Sequence, residues 1–330
     1  MQSPNWQKQL ANAIRRPEQL LEYVGLDADS IGYSQSGLEQ FPVRVPHAFA
    51  NRIARSNPHD PLLRQVFPYI NEETTKSGFV VDPLAESSFQ PVPGLLKKYQ
   101  DRVLVITTGA CAIHCRYCFR RHFPYQESTG AHSQWQQGLE YIRDNSDIHE
   151  VIFSGGDPLS LSDDKLLSLC ESVADIEHVD RIRLHTRFPV VLPDRINNSL
   201  LERLTDLGKE IVMVLHINHA NEIDDTVSNM LGLLKQHRLY VLNQSVLLDG
   251  INNNVESLVQ LSEKLVANHV VPYYLHLLDP VAGASHYEVA LAEAQQLIRE
   301  MRESVAGYLV PTLVTEKTGE KSKTLMERFP

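Results

Sequence analysis

The sequence predicts an α/β protein in which parallel strands alternate with covering helices. After about residue 100, apolar runs rich in β-branched residues recur roughly every thirty residues, with a helical pattern between each pair. The runs are RVLVITT (102–108), HEVIFSG (149–155), DRIRLHT (180–186), EIVMVLHI (210–217), YVLNQSVLL (240–248) and VPYYLHLLD (271–279). Repeated right-handed crossovers build either an open doubly wound sheet or a barrel, and this pattern leaves both open.

Capping residues and amphipathic spacing predict the helices between these runs. Ser133 precedes QWQQGLEYI, Asp163 precedes DKLLSLCESV, Asn197 or Asn198 precedes SLLERLTDL, and Asn253 or Asn254 precedes VESLVQLSEKL. Apolar residues then recur at spacings of three and four, so one face of each helix can cover the sheet.

Composition restricts the partners and the compartment. The 330 residues carry a formal net charge of −10, which disfavours a broad nucleic-acid surface because phosphate binding needs an excess of lysine and arginine. No apolar run is long enough to cross a bilayer, and MQSPNWQKQLANAIRR lacks the apolar core of a signal peptide. We therefore expect a cytoplasmic protein with no nucleic-acid or membrane partner.

Three of the four cysteines lie in the stretch CAIHCRYCF, as Cys111, Cys115 and Cys118. Disulfides explain them poorly in a reducing compartment, so a metal is favoured. Structural zinc prefers four protein ligands, and Cys170 lies in an apolar helix pattern that indicates burial in the core. Three cysteines leave one metal position open, as in a four-iron cluster with one exchangeable iron, and the spacing alone also allows a zinc or redox site.

Polar residues collect where the predicted strands end. Parallel α/β folds bind ligands at the carboxyl ends of their strands, so these residues are expected to meet at one rim. They are Gly155, Gly156 and Asp157 after the second run, His185 to Arg187 after the third, His216 to His219 after the fourth, Gln244 in the fifth, and His276 and Asp279 in the sixth.

Five further motifs carry a resemblance to a known family. They are CRYCFRR (115–121), SGGDPL (154–159), HTRFPVVLPDRI (185–196), NQSVLLDGIN (243–252) and LLDPVAGASHY (277–287). Together they resemble the lysine 2,3-aminomutases of the radical S-adenosylmethionine superfamily over roughly residues 80–325. The resemblance implies a partial (β/α)6 barrel at residues 96–330, with an N-terminal helical extension at residues 1–95.

The resemblance implies a [4Fe-4S] cluster that is held by three cysteines and whose open iron binds S-adenosylmethionine. Cys111, Cys115 and Cys118 match those ligands. Gly155 and Gly156 match the loop that receives the methionyl amino group, and Asp157 and Gln244 are further expected contacts of the same cofactor.

The resemblance also implies pyridoxal 5′-phosphate, held as a Schiff base by a lysine near the C-terminus. Lys323 occupies the matching place, with Lys317 and Lys321 as nearby competitors. Lys98 and Arg102 match basic residues that hold the cofactor phosphate.

Two residues match the family's substrate contacts. Arg120 matches the residue that pairs with the substrate carboxylate, and Asp279 matches a carboxylate that receives the ε-ammonium group of lysine. A second family carboxylate falls near Tyr308–Pro311, where Pro311 cannot replace it.

The implied activity is conversion of (S)-α-lysine to (R)-β-lysine by a radical shift of the amino group, with an external electron donor. The short C-terminal region resembles the branch that makes β-lysine for attachment to elongation factor P, which implies a functional link to that factor and its lysyl-ligating enzyme. An aminomutase for another amino acid such as glutamate is the alternative enzyme, and a metal-stabilised interaction protein is the alternative of another class. The oligomeric state, including a homo-oligomer, is left open.

Overall fold

The computed structural model describes residues 5–125 and 132–327, without the side chains of residues 132–134. Within these ranges nine strands form one sheet in chain order. The strands are β1 Leu95–Leu96, β2 Arg102–Thr108, β3 Glu150–Gly155, β4 Arg181–Thr186, β5 Glu210–Leu215, β6 Tyr240–Val246, β7 Val271–His276, β8 Thr312–Thr315 and β9 Thr324–Leu325. All six strands expected from the apolar runs are present.

The sheet is parallel from β2 to β8, and the short strands β1 and β9 add antiparallel edges. β8 is a seventh parallel strand that the sequence analysis missed. Its four residues, TLVT, are too few for a period-two pattern to stand out from the background. The strand is nevertheless important, because it brings the C-terminal segment to the carboxyl ends of the other strands.

Helices cover the outside of the sheet and also make up much of the N-terminal region. The N-terminal α-helices are Trp6–Ala11, Pro17–Tyr23, Gln35–Gln40, His47–Ala50 and Pro61–Arg64. The later ones are His132–Asp144, Asp163–Ala174, Phe188–Val191, Asn198–Thr205, Asp225–Gln236, Val255–Ala267 and Leu291–Ser304. Short 3-10 helices occupy Ile70–Glu73, Glu86–Phe89, Pro158–Ser160, Pro193–Arg195, Ala220–Glu222, Ser285–Tyr287 and Gly307–Leu309.

The helix caps follow the sequence signals in two of the four predicted cases, and the side chain of Ser133, the predicted cap of a third helix, lies outside the described residues. The side chain of Asn197 accepts a hydrogen bond from the Leu200 amide, and that of Asn254 accepts one from the Ser257 amide. Asp163 instead lies inside the first turn of its helix. Cys170 lies on the buried face of the same helix, which confirms its place in the core.

Six β/α units run from β2 to the helix Leu291–Ser304, so the expected partial (β/α)6 barrel is confirmed. The sheet curls, because residues of strands β1 to β7 and of β9 line one common cavity. Among the described pairings none joins β1 to β9, so the sheet stays open. An opening of this kind leaves room for ligands inside the curved sheet.

The N-terminal region packs closely against the barrel. Ile14, Val45 and Phe67 belong to the same hydrophobic cluster as Val151 and Leu184 of the sheet. Burial of each such side chain contributes roughly 1.5–3 kcal/mol. The division between residues 1–95 and 96–330 stays a prediction. No helix in the described part of the chain is long and apolar enough to span a membrane.

Candidate active site

One cavity of about 620 Å³ lies inside the curved sheet. This volume is within the range usual for sites that bind small molecules. Every residue to which the sequence analysis assigned a cofactor or substrate lines the cavity. They are Lys98, Arg102, Cys111, Cys115, Cys118, Arg120, Gly155, Gly156, Asp157, Gln244, Asp279 and Lys323. The structure therefore brings the whole expected set together.

The glycine pair joins the end of β3 to the loop that carries the cysteines. The Gly156 amide donates to the Thr108 carbonyl at 2.6 Å, and the Asp157 amide donates to the Ala110 carbonyl at 2.8 Å. Gly155 has a φ of +125°, and a Cβ there would lie 2.5 Å from the Thr108 oxygen. A Cβ on Gly156 would lie 2.4 Å from the Ala110 oxygen. Only glycine allows the two loops to approach this closely.

Buried ion pairs hold the cysteine loop against the N-terminal region. Arg116 and Arg121, which lie on either side of Cys118, both bind Glu72, at 2.5 and 2.7 Å. The Arg116 amide also donates to the Gln65 carbonyl at 2.9 Å. Such a loop has few alternative conformations, because moving it would leave buried charges without partners.

Burial changes the acidity of the thiols. It raises the pKa of Cys111 well above its usual value, and it raises the pKa of Cys118 to about 11. Thiols in this state bind iron only with loss of a proton, because the thiolate is the metal ligand.

The three thiols do not surround a single point. Among the described residues, no group of three histidine, cysteine, aspartate or glutamate side chains is placed to hold one metal ion. An iron-sulfur cluster does not require such a group, because each cysteine binds a different iron atom. Three cysteines that open onto one side of a large cavity fit a cluster whose fourth iron faces that cavity.

Arg187 contacts this loop from the end of β4. Its Nη1 lies 2.7 Å from Cys115 Sγ and 2.7 Å from the Tyr117 hydroxyl. Its Nη2 donates to Glu222 at 2.8 Å. We call Cys111, Cys115, Cys118 and Arg187 the cysteine end of the cavity.

Asp157 uses both carboxylate oxygens within the protein. Oδ1 accepts from the Thr186 hydroxyl at 2.7 Å and the Leu159 amide at 3.0 Å. Oδ2 accepts from the amides of Arg187 and Phe188, at 2.8 and 3.0 Å. Asp157 thus fixes the backbone of Arg187, and its expected role as a direct cofactor contact stays a prediction.

Lys323 lies at the other end of the cavity and is bound to Glu316. Glu316 accepts from Lys323 Nζ at 2.9 Å and from Lys98 Nζ at 2.7 Å. Burial raises the pKa of Glu316, but the charges and hydrogen bonds of Lys323 and Lys98 outweigh burial and lower this pKa to about 2. Lys98 follows β1 and Glu316 lies between β8 and β9, so their ion pair connects the two edges of the open sheet. We call Lys98, Asp279, Glu316 and Lys323 the lysine end.

Asp279 differs from Glu316, because no described lysine or arginine is bound to its carboxylate. Its carboxylate accepts no hydrogen bond from any described residue, although it lines the cavity. Burial first, and then the charge of Glu316, raise the pKa of Asp279 from 3.8 to about 7. A cation that entered the cavity would stabilise the ionised form of this carboxylate.

The guanidinium group of Arg120 is occupied by a protein carboxylate. Nε and Nη2 bind the two oxygens of Glu86 at 2.7 and 2.8 Å, in the bidentate geometry that a substrate carboxylate would need. Nη1 lies 3.1 Å from the Ser154 hydroxyl. A substrate carboxylate can therefore reach Arg120 only through Nη1 or by displacing Glu86.

Two buried imidazoles offer unpaired atoms to a ligand. Nε2 of His185 and Nε2 of His276 have no hydrogen-bond partner among the described residues, and both residues line the cavity. Burial lowers the pKa of each well below the usual value, so both rings are neutral near pH 7. Buried polar atoms without partners are rare in proteins, and here they fit a polar ligand.

Aromatic rings form the wall beside Lys323. Lys323 Nζ lies 5.9 Å from the centre of the Tyr274 ring, and Tyr273 stacks on Tyr274 at 3.7 Å. Arg102 packs over the Tyr99 ring at 4.2 Å and binds Asp101 at 2.7 Å. Together with the unpaired imidazoles, this wall fits a planar aromatic aldehyde such as the pyridoxal ring. The expected phosphate contacts of Lys98 and Arg102 stay predictions.

Three residues of the site were missed or undervalued by the sequence analysis. Glu86 lies in VVDPLAESSFQPVPG, whose prolines favour a linker. Glu316 lies in a tail of mixed charge that is typical of a solvated segment, and Arg187 was noted only as part of a polar strand end. The expectation that Asp279 stands without a second carboxylate was wrong. Pro311 precedes β8, and the strand carries Glu316 into the cavity.

Comparison with known proteins identifies the family. The model of the Radical SAM superfamily matches residues 105–256. The L-lysine 2,3-aminomutase of Escherichia coli (strain K12) is 44% identical over 324 residues, which cover 98% of this chain and 94% of that protein. The L-lysine 2,3-aminomutase of Haemophilus influenzae is 44% identical over 321 residues, with coverages of 97% and 95%.

Among solved structures, a radical SAM methyltransferase from Sphaerobacter thermophilus has a TM-score of 0.47 and 16% identity, over 67% of this chain and 68% of that chain. The identity to the two aminomutases over nearly their whole length is what decides the family. The chain belongs to the L-lysine 2,3-aminomutase family of radical S-adenosylmethionine enzymes.

Proposed function

We propose that this protein is an isomerase that converts (S)-α-lysine to (R)-β-lysine. The observation that carries the proposal is the shared cavity, which has three cysteines at one end and Lys323 beside two carboxylates at the other. A radical amino shift needs both ends, one to generate a radical and one to carry the moving nitrogen.

The cysteine end would hold a [4Fe-4S] cluster through Cys111, Cys115 and Cys118. When bound and reduced by an external one-electron donor, the cluster would supply the electron for cleavage of S-adenosylmethionine to a 5′-deoxyadenosyl radical. Gly155 and Gly156 keep the loop after β3 close to the cysteine loop, so that backbone groups beside the cluster can bind the methionyl group. Gln244 faces the same space from β6.

The lysine end would hold pyridoxal 5′-phosphate through Lys323. When bound, this cofactor would supply an aldehyde carbon able to hold the amino nitrogen during its shift from C2 to C3. The chain contributes the aromatic wall at Tyr274 and the neutral rings of His185 and His276. Lys98 and Arg102 are the proposed partners of the phosphate.

The charges of the cavity favour a substrate with a cationic side chain. Among the described residues no cation lies within hydrogen-bonding distance of the Asp279 carboxylate, whereas Glu86 and Glu316 are already paired with arginine or lysine side chains. An ε-ammonium group would recover from Asp279 part of the hydration that it loses on entering the cavity. A glutamate side chain would bring a like charge to the Asp279 carboxylate, which disfavours glutamate as the substrate. Arg120 is the proposed contact of the substrate carboxylate.

Three further proposals come from the sequence. β-Lysine made here would serve the modification of elongation factor P by its lysyl-ligating enzyme. We also propose a cytoplasmic location and residues 1–95 as an extension of the barrel at 96–330. A homo-oligomer remains open to measurement.

The test is an anaerobic turnover assay. The full chain is loaded with iron, sulfide and pyridoxal 5′-phosphate, reduced, and incubated with S-adenosylmethionine and ¹³C-labelled lysine or glutamate. We expect ¹³C NMR signals of β-lysine from the lysine sample alone. β-Glutamate without β-lysine would contradict the substrate, and a loaded, reduced protein that isomerises neither amino acid would contradict the activity.

A further inference from the structure

The contact between Arg187 and Cys115 has no role in the chemistry described so far. Nη1 of Arg187 lies 2.7 Å from Cys115 Sγ, and Arg187 is only 6% exposed. The guanidinium group is the donor of this hydrogen bond and the sulfur is the acceptor. The inference that follows rests on the proposed cluster at Cys111, Cys115 and Cys118.

The guanidinium group of Arg187 is held from the side opposite the sulfur. Nη2 donates to Gln65 Oε1 at 2.6 Å and to Glu222 Oε2 at 2.8 Å. Glu222 is itself fully buried, and its Oε1 accepts from the amides of Asn218 and His219 at 2.8 and 3.1 Å. The backbone of Arg187 is fixed by Asp157 at 2.8 Å. A side chain held in this way cannot turn away from Cys115 without breaking buried ion pairs.

The other two cysteines lack an equivalent side-chain contact. The Cys118 sulfur accepts a hydrogen bond from the backbone N–H of Arg120. The side-chain charges of Arg120 and Arg121 also act on Cys118, without a hydrogen bond to its sulfur. The charge of Arg44 acts on Cys111 and lowers the pKa of that thiol, against the larger effect of burial. Within the described part of the chain, Cys115 is thus the cysteine with a charged side-chain donor on its sulfur.

We propose that Arg187 is a positioning residue that orients the Cys115 sulfur toward its iron and raises the reduction potential of the cluster. Reduction adds one electron from the external donor to the cluster and breaks no bond at Arg187. Hydrogen bonds to a cysteine sulfur withdraw charge from it and favour the reduced state, which carries one more negative charge. Asp157, which follows the glycine pair, acts through Arg187 by fixing its backbone.

The experiment compares four forms of the full chain after anaerobic loading with ferrous iron and sulfide. They are the parent, Arg187→Gln, Arg187→Lys and Arg195→Gln. Arg195 is a matched control because it is fully buried, binds Asp163 at 2.7 Å and the Leu159 carbonyl at 2.6 Å, and touches no cysteine. Iron content, cluster loss to a chelator and an EPR-monitored redox titration are measured on each form.

For Arg187→Gln we expect a midpoint potential below that of the parent and roughly 10–100-fold weaker iron retention. Arg187→Lys keeps a cation beside Glu222, and this cation should preserve the fold. Its midpoint potential should also lie below that of the parent, but by less than that of Arg187→Gln. Arg195→Gln should keep the potential of the parent.

Equal potentials in the parent, Arg187→Gln and Arg187→Lys, each with full iron, would overturn the inference. If Arg187→Gln does not fold, the decision rests on Arg187→Lys, and a potential identical to that of the parent would overturn it in the same way. A parent that binds no iron would instead contradict the proposed function, so the two failures are distinguishable.

Discussion

The two ends of the cavity are built in different ways. The cysteine end comes mainly from one short stretch, residues 111–121, and buried pairs such as Arg116–Glu72 hold that stretch in place. The lysine end is assembled from segments more than 170 residues apart, since Lys98 contacts Glu316 and Asp279 lies beside them. Local spacing thus specifies the first end, whereas the curvature of the whole sheet creates the second.

Their electrostatics also differ. At the cysteine end an arginine donates to a sulfur, and the nearby acids Glu72 and Glu222 are already bound to arginines. At the lysine end Glu316 is bound to both lysines, and Asp279 remains without a hydrogen bond from any described residue. The first end is therefore suited to a negatively charged cluster, and the second retains a carboxylate for an incoming cation.

The largest expected effect breaks the cysteine end. Replacing Cys111, Cys115 or Cys118 by alanine should remove cluster iron and abolish turnover, because the remaining thiolates cannot hold the cluster. Iron analysis and the visible spectrum check this result. Cys170→Ala is the control, since Cys170 lies in the core away from the cavity and should keep both iron and activity. If Cys170→Ala lost its iron to the same extent as the other three variants, the assignment of the cluster ligands would be wrong.

A smaller effect should break the lysine end alone. Asp279→Asn keeps the shape of the side chain and removes its charge, so a buried substrate ammonium loses its partner at a cost of about 3 to 5 kcal/mol. At about 1.4 kcal/mol per decade, lysine turnover should fall roughly a hundredfold or more. Steady-state kinetics measure this loss, while the iron content should stay at the parent level.

Asp249→Asn is the matched control for that experiment. Asp249 lies just beyond the end of β6, is exposed and binds Asn253 at 2.9 Å outside the cavity. This variant should turn over lysine as the parent does. An Asp279→Asn variant that did the same would show that Asp279 is not the side-chain contact.

The smallest expected effect is a pH dependence that sharpens the contrast between the ends. The pKa of Asp279 is about 7, above its usual 3.8, so its carboxylate is mainly ionised at pH 8 and mainly protonated at pH 6. Apparent affinity for lysine should therefore weaken by about tenfold between pH 8 and pH 6, as the competent ionised fraction falls. His185, His216 and His276 have lowered pKa values and stay neutral throughout this window. Isothermal titration calorimetry at several pH values measures this affinity. If the affinity of Asp279→Asn for lysine changed with pH as steeply as that of the parent, Asp279 would be excluded as the source of the pH dependence.

The sequence predicted most of the fold and the cysteine end, because both depend on local patterns. The six apolar runs have the spacing of β/α units, and three cysteines within eight residues point to a metal. It did not predict β8, which is too short for a periodic signal, or the ion pair of Glu316 with Lys98, which depends on how far the sheet curls. Glu86 was missed because its proline-rich segment reads as a linker, while its burial comes from a long-range contact with Arg120.

Lys323 has the central role in the proposed activity, as the residue that would bind the pyridoxal group. The full chain is loaded with pyridoxal 5′-phosphate, reduced with borohydride, digested and mapped by mass spectrometry. Lys323 faces the cavity from the loop before β9, whereas Lys317 and Lys321 are exposed. We expect the pyridoxyl adduct on Lys323 and its loss in Lys323→Ala but not in Lys321→Ala. An adduct on Lys317, Lys321 or Lys98 would contradict the account.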